Sequence, residues 1–281
     1  MNTKYCPHIS RFYHPAIVLA LALSGHIAFA AATATDTASN YGSSWSTSPP
    51  NSGSGFGSWT VIVNNNDGPP YVGTYIAQSS SYGDTINDAG GNAWATYANS
   101  GNGSGSISIS RAFTAGPSTS ASLYNQTFSY DLSSGGVGPG QGLLSTEIGN
   151  AFSLQYVGTG NVDSLTLNTP TSSLNTGVGY GALNSGLAVS LAVSGALNSP
   201  SEDYTLTISP FSGGSPLYQT SGTFDSSSYN TSSFTFLDSD TTGNAYFNEL
   251  NITAEAVPEP STFVLIGAGV AGLWGLRRRT A

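Results

Sequence analysis

The chain has 281 residues, 35 of them glycine, and only 7% are charged; six basic residues against fifteen acidic ones leave a formal charge of −9. So few charges exclude a helical bundle, whose exposed faces need Lys, Arg, Glu and Asp. The acidic balance excludes a nucleic-acid-binding surface, which needs clustered Lys and Arg against phosphates.

Lys4 and Arg11 stand before an apolar run at 16–23, and Ala28-Phe29-Ala30 follows with small residues at alternate positions. A basic start, an apolar middle and an A-x-A end are the order of a secretory signal peptide. Residues 1–30 are read as that segment, cut by signal peptidase after Ala30, with Ala28 and Ala30 as the small residues at the cut and Ala32 as the alternative. Removal takes away Lys4, Cys6, His8, His14 and His26, so the exported chain has no Lys, Cys or His. Disulfides are therefore excluded even in an oxidising compartment. An apolar core must hold the fold, and roughly 220 residues suffice to build one.

Residues 31–56 are rich in Ser, Pro and Gly and read as a flexible leader or a first edge strand. From 57 to 254, short alternating segments recur. Residues 59–63 run into Asn64-Asn65-Asn66-Asp67-Gly68-Pro69-Pro70, a turn signal, and 71–76 follow. Residues 106–110 and 127–132 alternate strictly. The segments 151–157, 164–167, 187–193, 204–208, 218–224, 234–237 and 246–252 complete the set. Period-2 alternation turns one face inward and one outward. About a dozen strands split by Gly, Asn and Ser turns predict an all-β, antiparallel β-sandwich over 57–254.

Residues 255–281 form a separate tail: Val257-Pro258-Glu259-Pro260-Ser261, an uncharged apolar run at 262–276, then Arg277, Arg278 and Arg279. As a helix the run reaches about 22 Å, short of a ~30 Å hydrocarbon core, so it is a marginal transmembrane helix in the inner membrane. The three arginines hold its end on the cytoplasmic side. Pro258 and Pro260 stop the helix from extending backward and keep the peptide extended, as a protease site needs. The run contains Gly267-Ala268-Gly269-Val270-Ala271-Gly272, a G-x-G-x-x-G spacing. No further strand and no acidic residue follow it, so these are small residues of a membrane helix rather than a dinucleotide loop.

The motif Val257, Pro258, Glu259, Pro260, the short apolar helix and the terminal arginines together resemble the PEP-CTERM sorting signal of Gram-negative bacteria that make exopolysaccharide. The resemblance implies a partner, a membrane exosortase that cuts at the motif. It also implies an inner-membrane intermediate and delivery to the cell surface or extracellular matrix. The body resembles the lectin-like, concanavalin-type jelly-roll domains common in such proteins. That resemblance is carried by Gly91-Asn92-Ala93-Trp94-Ala95-Thr96-Tyr97-Ala98-Asn99, Arg111-Ala112-Phe113, Gln126-Thr127-Phe128-Ser129 and 246–252. It implies two packed antiparallel sheets and a sugar ligand, with exopolysaccharide the expected partner.

The exported residues narrow the chemistry. Without His, Cys or Lys there is no Ser-His-Asp or Cys-His catalysis, no Schiff base and no His/Cys zinc site. Carboxylate-dependent glycoside hydrolysis is what survives. The acids are scattered, and adjacent Glu202 and Asp203 would face opposite sides of a strand, so a non-catalytic protein is expected. Trp94 and Tyr97 are the candidate sugar-stacking residues; three apart in a strand, they face opposite sides. Asp238-Ser239-Asp240-Thr241-Thr242-Gly243-Asn244, with Glu249 twelfth, comes close to a calcium loop. Its flanks read as strands, so Asp238 and Asp240 are weak calcium candidates and no cofactor is expected. Arg111 shares a face with Ile109 and is expected to form a structural ion pair with a carboxylate.

Overall fold

The computed structural model describes residues 32–41, 45, 52–65, 71–78, 85–99, 105–113, 123–135, 142–158, 163–196, 199–241 and 243–257. In chain order the strands are β1 (Ala32–Asp36), β2 (Thr60–Asn65), β3 (Val72–Gln78), β4 (Asn92–Ala98), β5 (Gly105–Ala112), β6 (Leu123–Ser133) and β7 (Leu143–Ile148). They continue with β8 (Phe152–Val157), β9 (Ser164–Asn168), β10 (Ser173–Gly179), β11 (Leu187–Ala196), β12 (Glu202–Pro210), β13 (Tyr218–Phe224), β14 (Ser233–Ser239) and β15 (Asn244–Val257). A 3-10 turn, Ala38–Tyr41, follows β1, and one short helix, α1 (Tyr180–Asn184), precedes β11.

Two antiparallel sheets result. The first runs β13-β12-β11-β6-β15-β4-β3, with β1 also paired to β15; the second runs β10-β9-β8-β7-β14-β5-β2. The two orders run in step: β2 and β3, β4 and β5, β14 and β15, and β6 and β7 hold matching places. The meanders β8–β10 and β11–β13 extend each sheet on the same side. Both inner faces follow from alternation, which puts Phe128, Tyr130 and Leu132 of β6 and Phe152, Leu154 and Tyr156 of β8 in one apolar core. Aromatic contacts cross between the sheets, as in Tyr130 with Phe234 at 5.3 Å and Phe236 with Phe247 at 4.5 Å. The expected all-β sandwich is the observed architecture.

The part of 31–56 that is described is ordered into the body. β1 pairs with β15 from Ala32 opposite Ala254 to Asp36 opposite Leu250, in the lane that β4 occupies opposite Asn244–Phe247. Beyond β1, Tyr41 and Trp45 are buried. Trp45, Trp59 and Trp94 pack together with Phe247, ring centroids 5.2–6.2 Å apart.

A buried ion pair locks this end. Arg111 and Asp36 bond directly, and both side chains are wholly buried. The guanidinium also donates to the carbonyls of Gly57 and Ser52, and it lies over the rings of Phe56 and Trp59 at 4.4 and 4.5 Å. The Asp36 carboxylate accepts from the Thr37 N–H, the Asn40 amide and the Tyr41 hydroxyl. Burial, then the hydrogen bond to Asp36, pushes the Tyr41 phenol up to about 12, so it stays a donor. This is the carboxylate partner the sequence left unnamed for Arg111.

One irregularity resets the long strand. On β15, Ala245 and Phe247 face the core, and so do Leu250, Ile252 and Ala254. The parity changes at a β-bulge between Asn248 and Asn251, where Glu249 takes φ +49°.

Candidate functional site

The outer face of the first sheet gathers the polar and aromatic groups that alternation turns away from the core. On β3 and β4 this face carries Gly73, Tyr75, Ala93, Ala95 and Tyr97. Gly73 pairs with Tyr97 across the strands, and a Cβ on Gly73 would stand 2.5 Å from the Tyr97 oxygen. The missing side chain lets the Tyr97 ring lie down over the backbone. Tyr75 sits beside it, ring centroids 6.2 Å apart, and its hydroxyl is 3.3 Å from that of Tyr246. The Asn244 amide donates to the same Tyr246 oxygen at 3.4 Å. Tyr75 and Tyr97 are both half-buried.

Next along this face comes an acid pair. Asp131 of β6 is 7% exposed and lies opposite Asn248 of β15, directly before the bulge that carries Glu249. Burial, and then the charge of Glu249, pushes the Asp131 carboxyl up to about 7. The Asn248 amide is fully used: it donates to the carbonyls of Ile86 and Asn92 and accepts from the Ala38 N–H. Asp88 fastens the same stretch from the other side. It accepts from the hydroxyls of Thr37 and Ser39 and from the N–H groups of Ser39, Gly90 and Asn92. Burial opposes its ionisation, but the bonds from Ser39, Thr37 and Asn92 outweigh that and hold its carboxyl below the usual range.

The sequence-derived candidates separate on the structure. Trp94 is 0% exposed, stacked on Phe247 inside the core, so its ring faces meet side chains and offer no platform for a sugar. Tyr97 is on the outer face, as the three-residue spacing requires. Its partner there is Tyr75, which went unnoticed because the pairing of Gly73 with Tyr97 is a register fact and not a local motif.

Asp238 is 0% exposed, and its two oxygens accept the hydroxyls of Thr96 and Thr241, each at 2.7 Å. Burial pushes its carboxyl up to about 6, although both hydroxyls pull it down. Asp240, at φ +54°, accepts from the Gly105 N–H and returns a bond to the Gly105 carbonyl. Glu249, twelfth in that spacing, instead acts electrostatically on Asp131 of β6. Among the described residues no three acids, His or Cys are grouped to hold a metal.

The other functional end is the close of β15. Val257, the last residue described, pairs with Leu123 of β6, so the strand reaches the first residue of the 257–260 motif. β1 begins three rungs away, at Ala32 opposite Ala254, which sets the two ends of the body side by side. Ala28, Ala30, Pro258, Glu259, Pro260, the apolar run 262–276 and Arg277, Arg278 and Arg279 lie outside the described residues.

Comparison with known proteins supports the tail independently. Residues 256–279 match the family described as the PEP-CTERM protein-sorting motif. The chain therefore carries a PEP-CTERM sorting signal, which marks it for export and exosortase processing. No curated protein matches the chain. Among solved structures, it is similar to a lectin from Bauhinia forficata in complex with GalNAc, with 10% identity, a TM-score of 0.37 and coverage of 72% of this chain and 100% of that one. It is also similar to the CBM2 module of the evolved Dit of Lactobacillus casei BL23 phage J-1, with 11% identity, a TM-score of 0.40 and coverage of 81% and 99%. An engineered GH43 glycoside hydrolase matches at 11% identity and a TM-score of 0.37, over 59% of this chain; the chain spans only 34% of that enzyme.

Proposed function

We propose that this is an exported, non-catalytic surface or extracellular-matrix protein. The signal peptide directs it outward, the tail holds it in the inner membrane, and exosortase cuts it at 257–260. The observation that carries this reading is the sorting-motif match at 256–279 joined directly to the end of a folded strand. The test is Pro258→Ala with Pro260→Ala: the double variant stays uncut in the inner-membrane fraction, and normal release refutes the reading.

The outer tyrosine face supports contact with exopolysaccharide. Two neighbouring rings offer flat apolar area to sugar faces, and Asn244 and Asp131 add polar groups near it. Binding to purified exopolysaccharide should saturate and be lost in Tyr97→Ala and Tyr75→Ala. Unchanged binding in both variants transfers support to a structural matrix protein without a defined ligand. Reducing-sugar release that Asp131→Asn or Glu249→Gln abolishes would instead establish a carboxylate-dependent glycoside hydrolase.

A further inference from the structure

The sorting-motif match begins at Ala256, yet Ala256 and Val257 are still strand, opposite Tyr124 and Leu123 as the last rungs of β15 on β6. A peptidase that takes its substrate as an extended segment reads backbone N–H and C=O groups. Those pointing toward β6 are committed to the ladder. Four residues, 258–261, separate Val257 from the apolar run. Fully extended they reach only about 14 Å, little more than the ~10 Å between two packed sheets. A peptidase has little room between the sandwich and the membrane. Releasing 255–257 adds about 10 Å. The described part of β1 stops opposite Ala254, so among the described residues 255–257 are held on the β6 side only.

We infer that residues 255–257 peel away from β6 before the sorting cut, so that the end of the sandwich limits how fast the chain is released. This rests on the reading of 257–260 as the exosortase site, and the partner it describes is the peptidase cleft that accepts the freed strand. The competing mode, docking of the peptidase on the open edge of 255–257 while they stay paired, is the alternative outcome.

The test locks the full-length chain in the exporting cell. Tyr124→Cys with Ala256→Cys joins facing residues of β6 and β15 at the cut. Ser129→Cys with Asn251→Cys joins the same two strands farther back. Facing antiparallel residues lie within disulfide reach, and the exported chain has no other Cys. The 124/256 lock should leave at least about tenfold more uncut chain in the membrane than the 129/251 lock, and a reductant should restore cutting. A chain whose 124/256 disulfide is confirmed by mass but which is cut as fast as the control overturns the inference. Should the lock not form, an eight-residue Gly/Ser spacer between Glu255 and Ala256, which leaves the matched segment 256–279 intact, serves instead: faster release is expected, and an unchanged rate overturns the inference. Normal release of the Pro258→Ala/Pro260→Ala variant identifies failure of the motif reading itself, an outcome distinct from either of these.

Discussion

Replacing Asp131 by Asn should stabilise the exported body above pH 7 and leave it unchanged near pH 4. The Asp131 carboxyl is pushed from 3.8 to about 7, first by burial and then by Glu249. An acid with a raised folded pKa keeps a proton that the unfolded chain gives up. Its contribution is therefore intact below about pH 3.8, declines as pH climbs toward 7, and is flat above that. Roughly three pH units at about 1.4 kcal/mol each give a loss of about 4 kcal/mol, an upper bound because solvent reaches the Glu249 side. Asn mimics the protonated acid, so the comparison across pH isolates the charge. Urea unfolding of the body at pH 4, 6 and 8 reads it directly. The wild type should lose stability over that range, and the variant should keep only the smaller slope left by the other shifted acids, chiefly Asp238 and Glu147, whose carboxyls burial also raises. Equal slopes in the two proteins, or a wild type that gains stability toward pH 8, refute the reasoning.

Other outcomes follow from the same geometry. Arg111→Met alone strands the buried Asp36 charge and should cost about 3–5 kcal/mol in urea unfolding, much of it restored by adding Asp36→Asn. Thr96→Val removes one of the two hydroxyls on Asp238; it should cost about 1–3 kcal/mol at pH 7 and less at pH 4, where that carboxyl is protonated. Gly73→Val places atoms where Tyr97 lies, so it should weaken exopolysaccharide binding as Tyr97→Ala does, while circular dichroism shows the β spectrum preserved.

Much of the sandwich was legible because its inner strands alternate cleanly: Ile107, Ile109 and Arg111 on β5, and Leu187, Val189, Leu191 and Val193 on β11, all face inward. The strands that escaped notice lack that signal for physical reasons. β4 is covered on both faces, with Ala93 and Ala95 buried outside and Trp94 and Thr96 buried inside, so no period survives. β7 buries Ser145 and Thr146 where an apolar residue would announce a strand, and the Thr146 hydroxyl bonds to Tyr130. β10 carries Thr176 on its buried face, bonded to the Leu165 carbonyl, beside Gly177 at φ +70°. β1, which the sequence leaves as either a leader or a first edge strand, is polar and short; its place is set by its pairing with β15 and by Arg111, 75 residues away from Asp36.

The candidate site was less visible than the fold. Tyr97 was picked from spacing, but its neighbour Tyr75 is set by β3–β4 register, and the pairing of Asp131 with Glu249 depends on a bulge that no local pattern encodes. The sorting tail was the opposite case. Its three parts are contiguous, so the order of residues alone carries the signal.

The most direct measurement is the intact mass of the protein recovered outside the cell. The account predicts a chain that begins after Ala30 and lacks Arg277, Arg278 and Arg279. Released material whose mass still includes the three arginines contradicts it.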